Sequence, residues 1–172
     1  MTTSVEPPPT PGELHLSLCE GVLNTLAPAE RILASAAVDK YRRAPGRYRE
    51  DPTRLAASGG GDLGGAGIDE MAQHVLPYVA VLSGMGLQVV LQAAQEEATE
   101  AAVGRVRRWW KQRKRRPLPP AFAGPLTEVQ LEELGRLIDK YGAQWQLPEP
   151  EVIRLRVALL EQFVSQFGHP ED

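Results

Sequence analysis

A chain of 172 residues, 42% hydrophobic and 6% aromatic, has the length for one domain or two small helical modules, and falls short of a barrel or doubly wound enzyme with appended domains. Sixteen Gly and fifteen Pro take a good part of it out of packed elements. The formal charge of −3 is unevenly spread: Arg105, Arg107, Arg108, Lys111, Arg113, Lys114, Arg115 and Arg116 place +8 on twelve residues, and removing that +8 from −3 leaves −11 on the remainder.

Residues 1–12 are Pro-rich and are expected to be a disordered or extended tail. From residue 13, Leu14, Leu18, Val22 and Leu26 recur every four residues, which predicts one face of a helix ending before Pro28. Pro28 and Glu30 then restart a helix, with Pro at its first position and an acid in its first turn. Ile32, Leu33, Ala36, Ala37 and Tyr41 make its inner face, and Pro45-Gly46 ends it, so residues 13–46 form an N-terminal helical module. Residues 47–67 have little to bury and hold six glycines between 59 and 67, the composition of a flexible Gly-rich linker.

Residues 71–95 contain no Asp, Glu, Lys or Arg; Glu96, Glu97 and Glu100 follow, and then the basic block. Leu87, Leu91, Ala94, Ala98, Ala102, Val106 and Trp110 recur at helical spacing across both halves, which predicts one long apolar-to-basic helix over 68–116. From Met71 to Arg116 it would run roughly 69 Å at ~1.5 Å per residue. Gly84, Gly86 and Gly104 interrupt the pattern at a cost of about 1 kcal/mol each relative to Ala. Residues 117–126 are a stiff Pro-rich spacer. Thr127-Glu128-Val129-Gln130 then reads as a capping box, in which the Thr side chain accepts from the Gln130 amide while Gln130 reaches back. Leu131, Leu134, Ile138 and Tyr141 line the helix that follows, which is expected to stop at Gly142. Beyond the turn at 146–150, Ile153, Val157, Leu160, Val164 and Phe167 fall at spacings 4, 3, 4, 3, a heptad seam suited to self-association. The pair makes a C-terminal helical hairpin over 127–169, which wants a third helix or a second copy to bury its apolar faces.

Several strings look like chemistry and have simpler readings. Gly59-x-Gly61-x-x-Gly64 matches a dinucleotide fingerprint, but no strand precedes it and a glycine-rich linker generates such matches cheaply. His15 and Cys19 lie one helical turn apart, as a nucleophile and its base would, yet Leu14, Leu16 and Leu18 surround them and no third group orients the His. Glu70 and His74, with Asp69 adjacent, have ligand-like spacing, but acids at a helix start already favour the positive end of its dipole. Glu96, Glu97 and Glu100 lack the matching Glu-x-x-His of a carboxylate metal site. No Ser/His/Asp order, P-loop or HExxH motif occurs, so no catalytic, cofactor or metal residues are expected. The lone Cys19 excludes an intrachain disulfide and suits a reducing compartment. With neither a positive n-region nor an apolar h-region in 1–12, the expected location is the cytoplasm, with the inner face of the membrane as a surface to meet.

The sequence therefore predicts an all-α protein: an N-terminal helical pair, a Gly-rich hinge, a long central helix and a C-terminal hairpin. Its functional reading turns on two segments. Val75, Leu76, Val79, Leu82, Leu87, Val90 and Leu91 supply an apolar surface for membrane insertion or for packing in a bundle. The eight cations of 105–116, with Trp109 and Trp110 among them, have the composition of an interfacial anchor on anionic lipid; nucleic acid, an acidic partner protein or the acidic C-terminal half are the rivals. The expected function is a non-enzymatic membrane-associating helical effector or adaptor. The alternative is a soluble oligomeric scaffold whose basic block binds an acidic protein, or nucleic acid non-specifically. What separates them is whether Val79, Leu82, Val89 and Val90 are covered within one chain.

Overall fold

The computed structural model describes residues 9–57, 75–96 and 125–168, with the side chains of 57 and 93–96 left out. All regular structure among them is helical. In chain order the elements are α1 (Pro11–Leu26), a 3₁₀ turn (Pro28–Leu33), α2 (Ala34–Arg43), α3 (Pro45–Glu50), α4 (Thr53–Ala57), α5 (Leu76–Glu96), α6 (Glu128–Gln144) and α7 (Glu149–Phe167).

Helix α1 begins two residues before the expected start, so Pro11 and Gly12 belong to its first turn rather than to a tail. Thr10 and Glu13 form a reciprocal capping box: the Glu13 amide donates to Thr10 Oγ1 (3.2 Å), and the Thr10 amide donates to Glu13 Oε2 (2.6 Å). Pro11 sits where its missing N–H is not needed. The buried face is Leu14, His15, Leu18, Cys19, Val22 and Leu23. After Ala27 the chain tightens into the 3₁₀ turn, whose three residues per turn shift the register from an α-helical wheel. That shift corrects the expected inner face: Ile32 is 81% exposed and Ala36 is exposed, while Ala34, Ala37, Val38 and Tyr41 are buried.

The expected linker also needs correcting at its start. Residues 45–57 make the short helices α3 and α4, which bury Tyr48 and Leu55 against the bundle. Pro45 opens α3 instead of closing its predecessor, and Asp51 Oδ1 accepts the Thr53 amide at the start of α4 (3.1 Å). Lys40 Nζ donates to the Leu55 carbonyl (3.2 Å), holding α4 against α2. The glycine-rich part of that stretch, 59–67, lies outside the described residues, as do 97–116 of the expected long helix and most of the 117–126 spacer.

Helix α5 is the centre of the molecule. It packs against α1, α2, α4 and α6 and touches α3, α7 and the 3₁₀ turn. Leu76, Val79, Ala80, Val81, Leu82, Met85, Leu87, Val90 and Leu91 are all buried, so it is apolar around its circumference, as a helix enclosed by others must be. Ser83, also buried, donates to the Val79 carbonyl within its own helix (2.6 Å). Gly84 and Gly86 let neighbours approach from opposite sides. A Cβ on Gly84 would collide with the Tyr41 ring and lie 2.8 Å from His15 Cε1; one on Gly86 would lie 2.7 Å from Phe163 Cζ and 3.0 Å from Leu134 Cδ2. The first open end of α5 is capped from a distance: Glu30, 1% exposed in the 3₁₀ turn, accepts the Leu76 amide on Oε2 (2.6 Å).

The capping box at the start of α6 has the predicted form. The Gln130 amide donates to Thr127 Oγ1 (3.2 Å) and the Thr127 amide to Gln130 Oε1 (2.8 Å). The helix passes through Gly142 to Gln144, because Gly142 serves close packing, a Cβ there lying 2.7 Å from Val152 Cγ2. Gln146, at φ 56°, makes the turn instead. Helices α6 and α7 pack with opposite directions, Gly142 beside Val152 and Asp139 bonded to Arg156 (2.7 Å). Gly168, at φ 96°, ends α7, and its carbonyl accepts the Leu126 amide (3.3 Å). Buried residues from α1 to α7 form one core.

Candidate functional site

Two apolar stripes run along α7. Leu155, Leu159 and Phe163, spaced by four, together with Ala158, face the core. Ile153, Val157, Leu160 and Val164 lie roughly 140–200° around the helix from Leu155, at ~100° per residue. Ile153 is 54% exposed and Val157 50%, while Leu160 and Val164 are half-buried. Of the heptad seam read from the sequence, Ile153 and Val157 lie exposed on the outer face of α7, while Leu160 packs against the core that Leu155, Leu159 and Phe163 close. Phe167 leaves the seam: it is half-buried on the core and stacks on Phe163, with ring centroids 6.1 Å apart.

The flanks of this outer stripe differ. On one side stand Arg154 and Glu161, both exposed, with Arg154 also paired to Glu151 (3.2 Å). On the other, Arg156 is held by Asp139 of α6. At the N-terminal foot of α7, an apolar groove of about 260 Å³ is walled by Leu26, Tyr78, Leu147, Pro148 and Leu155, with Glu151 and Arg154 at its rim.

The residues expected to supply an apolar surface, for membrane insertion or for packing in a bundle, are placed in or against the interior. Leu76, Val79, Leu82, Leu87, Val90 and Leu91 are buried within the chain; Val75 is half-buried at the groove and Val89 is half-buried on the core. No helix among the described residues is long and apolar enough to cross a membrane. Arg105, Arg107, Arg108, Trp109, Trp110, Lys111, Arg113, Lys114, Arg115 and Arg116 lie outside the described residues, as do Asp69, Glu70, His74, Glu97 and Glu100.

His15 and Cys19 are committed to packing. His15 Nε2 carries the ring proton and donates it to the Ala80 carbonyl (2.8 Å), since a carbonyl can only accept, and the ring meets the Tyr41 ring edge to face at 5.5 Å. Burial, reinforced by the charge of Arg42, holds its pKa down to about 4 against the backbone hydrogen bond, so the ring is neutral near pH 7. Burial likewise pushes the Cys19 thiol up to about 12, with the Glu20 carboxylate adding to the effect, which removes the thiolate a nucleophile or metal ligand requires. Among the described residues no three His, Cys, Asp or Glu side chains gather as a metal site.

Sequence reasoning missed the polar cluster around Arg49. Its Nε donates to Tyr41 Oη (3.2 Å), its guanidinium also bonds Gln88 Oε1, and its carbonyl accepts from Trp145 Nε1 (2.9 Å). Trp145 in turn packs on Tyr78 and Tyr141 at 5.6 and 5.3 Å. One residue of the supposed linker therefore ties α2, α3 and α5 to the end of α6. Compared with protein-family models, curated proteins and solved structures, the chain matches none.

Proposed function

We propose that the chain is a non-enzymatic helical interaction module: a closed bundle that offers the outer face of α7 to a protein partner and carries a cationic segment at 105–116 as a second site for an anionic surface. The observation that carries this reading is the exposed pair Ile153 and Val157, with Val164 half-buried beyond them, which remains after the core has been filled by other residues of the same helix. An apolar stripe of this kind costs solubility and is typical of contact faces. The neutral His15 and the protonated, buried Cys19 support the non-enzymatic part, since the one nucleophile-and-base spacing noted in α1 is spent on packing.

Site-specific photo-crosslinking in cells tests it. A photoreactive residue at Val157 should give a discrete protein adduct, and one at Glu132, exposed on α6, should not. No adduct from Val157 would contradict the reading.

Membrane association is a second reading, favoured by one observation: Trp109 and Trp110 stand within the eight cations of 105–116. Insertion of α5 would require the bundle to open, so the form of this reading that agrees with the fold is peripheral and electrostatic. Flotation should then occur with anionic vesicles and not neutral ones, and should be lost when Arg105, Arg107, Arg108 and Lys111 are changed to Glu. Flotation with neutral vesicles would contradict it.

A further inference from the structure

We propose that the corner formed by the last turn of α2 and by α3 is the face the folded body turns to an anionic membrane, with Arg43 and Arg47 meeting lipid phosphates. The proposal rests on the membrane reading above and goes on to name its contact within the fold. Charge is segregated among the described residues as it is along the whole sequence. Residues 31–49 hold six cations, Arg31, Lys40, Arg42, Arg43, Arg47 and Arg49, against Asp39 alone, a net of +5. The other described residues hold five cations and thirteen acids, a net of −8.

Elsewhere in the described fold carboxylates take up the arginines, as Arg54–Asp51, Arg136–Glu132, Arg154–Glu151 and Arg156–Asp139. No ion pair among the described residues involves a cation of 31–49. Lys40 and Arg49 are fixed by neutral partners instead, the Leu55 carbonyl for Lys40 Nζ (3.2 Å), and Tyr41 Oη with Gln88 for the Arg49 guanidinium. Two acids border the corner without neutralising it: Asp39, one turn before Arg43, and Glu50, at the end of α3, are exposed and enter none of these ion pairs. Burial, and then the charge of Arg47, hold the Lys40 ammonium below its ordinary pKa, so these two cations share one neighbourhood. Like charges held together with no counter-charge between them are relieved by an outside anion. Arg43 and Arg47 are exposed and are free to supply the contact, Arg47 lying only against the Tyr48 ring (5.9 Å). Two features favour lipid over nucleic acid. Tyr41 and Tyr48 are both buried, so the corner offers no ring on which bases could stack. Ile32, 81% exposed at the start of the same cationic stretch, offers an apolar contact that a headgroup layer accepts and a sugar–phosphate backbone does not use.

Partition of the full chain onto phosphatidylcholine vesicles, with and without phosphatidylserine, tests the proposal. The wild type should bind the phosphatidylserine vesicles, and the double variant Arg43→Gln, Arg47→Gln should bind them about ten-fold or more weakly. Neither arginine has a carboxylate partner to lose, so the fold should stay intact. A control of equal net charge, Arg136→Gln with Lys140→Gln on α6, should bind as the wild type does. A corner variant that binds as tightly as this control overturns the corner and leaves the membrane reading standing, since net charge alone would then be acting. No binding by the wild type overturns both. Vesicle binding that survives in the corner variant while binding to duplex RNA is lost would overturn the lipid assignment in favour of nucleic acid.

Discussion

His15 shows how a polar side chain is accommodated in this interior. Its one hydrogen bond, to the Ala80 carbonyl, needs only the neutral ring, and burial keeps the pKa at about 4 against 6.5 for the free side chain. Between pH 6.5 and 4 the unfolded chain therefore binds a proton that the folded chain refuses, so this contribution is complete above pH 6.5 and is lost as pH falls towards 4. The loss amounts to roughly 3 kcal/mol. Urea midpoints of the wild type should fall across that window, and His15→Gln should flatten that part of the profile. Gly84 makes a steric prediction beside it. Ala would gain about 1 kcal/mol in helix propensity, but its Cβ would press into Tyr41 and His15, and overpacking costs about 1–3 kcal/mol. Gly84→Ala should lower the urea midpoint, and an increase would show that the rings have room to move. Glu30→Ala should cost about 1–3 kcal/mol by leaving the Leu76 amide of α5 without its carboxylate.

Among the elements, those whose start signals are local were the most legible. Thr127 and Gln130 form the reciprocal cap their spacing implies. Thr10 and Glu13 carry the same signal, obscured by the prolines on either side, which is why α1 begins earlier than its apolar stripe suggests. Helices α3 and α4 were not legible: at six and five residues they are too short to show a period, and Tyr48 and Leu55 are single apolar residues in a polar stretch. Their anchor, Arg49, acts through partners 8, 39 and 96 residues away. In α7 the heptad stripe was visible, but the sequence carries a second stripe at 155, 159 and 163, and only the surrounding helices decide which faces inward. It follows that Leu159→Ala should cost about 2–5 kcal/mol, whereas Val157→Ala should stay within about 0.5 kcal/mol of wild type. Similar costs for both, by urea denaturation, would mean the two faces are not distinct.

For the whole molecule, the ambiguity of the uncharged run has a simple cause. Lipid tails and a protein interior are both apolar, so residues 76–91 suit either, and the decision lies in the faces that α1, α2, α6 and α7 turn towards α5. The same closure withdraws the uncharged run from contact and leaves Ile153 and Val157 exposed together on the last helix, while the charge excess of 105–116 remains a property of the sequence alone. The molecule is thus divided between a closed α5 and an open outer face of α7. Hydroxyl-radical footprinting of the folded protein tests it most directly. Met85 and Leu82 should stay protected throughout. Ile153 and Val157 should be labelled, as should Ile32 and Val129, exposed elsewhere. Labelling of Met85 under native conditions, or protection of Val157, would contradict the account.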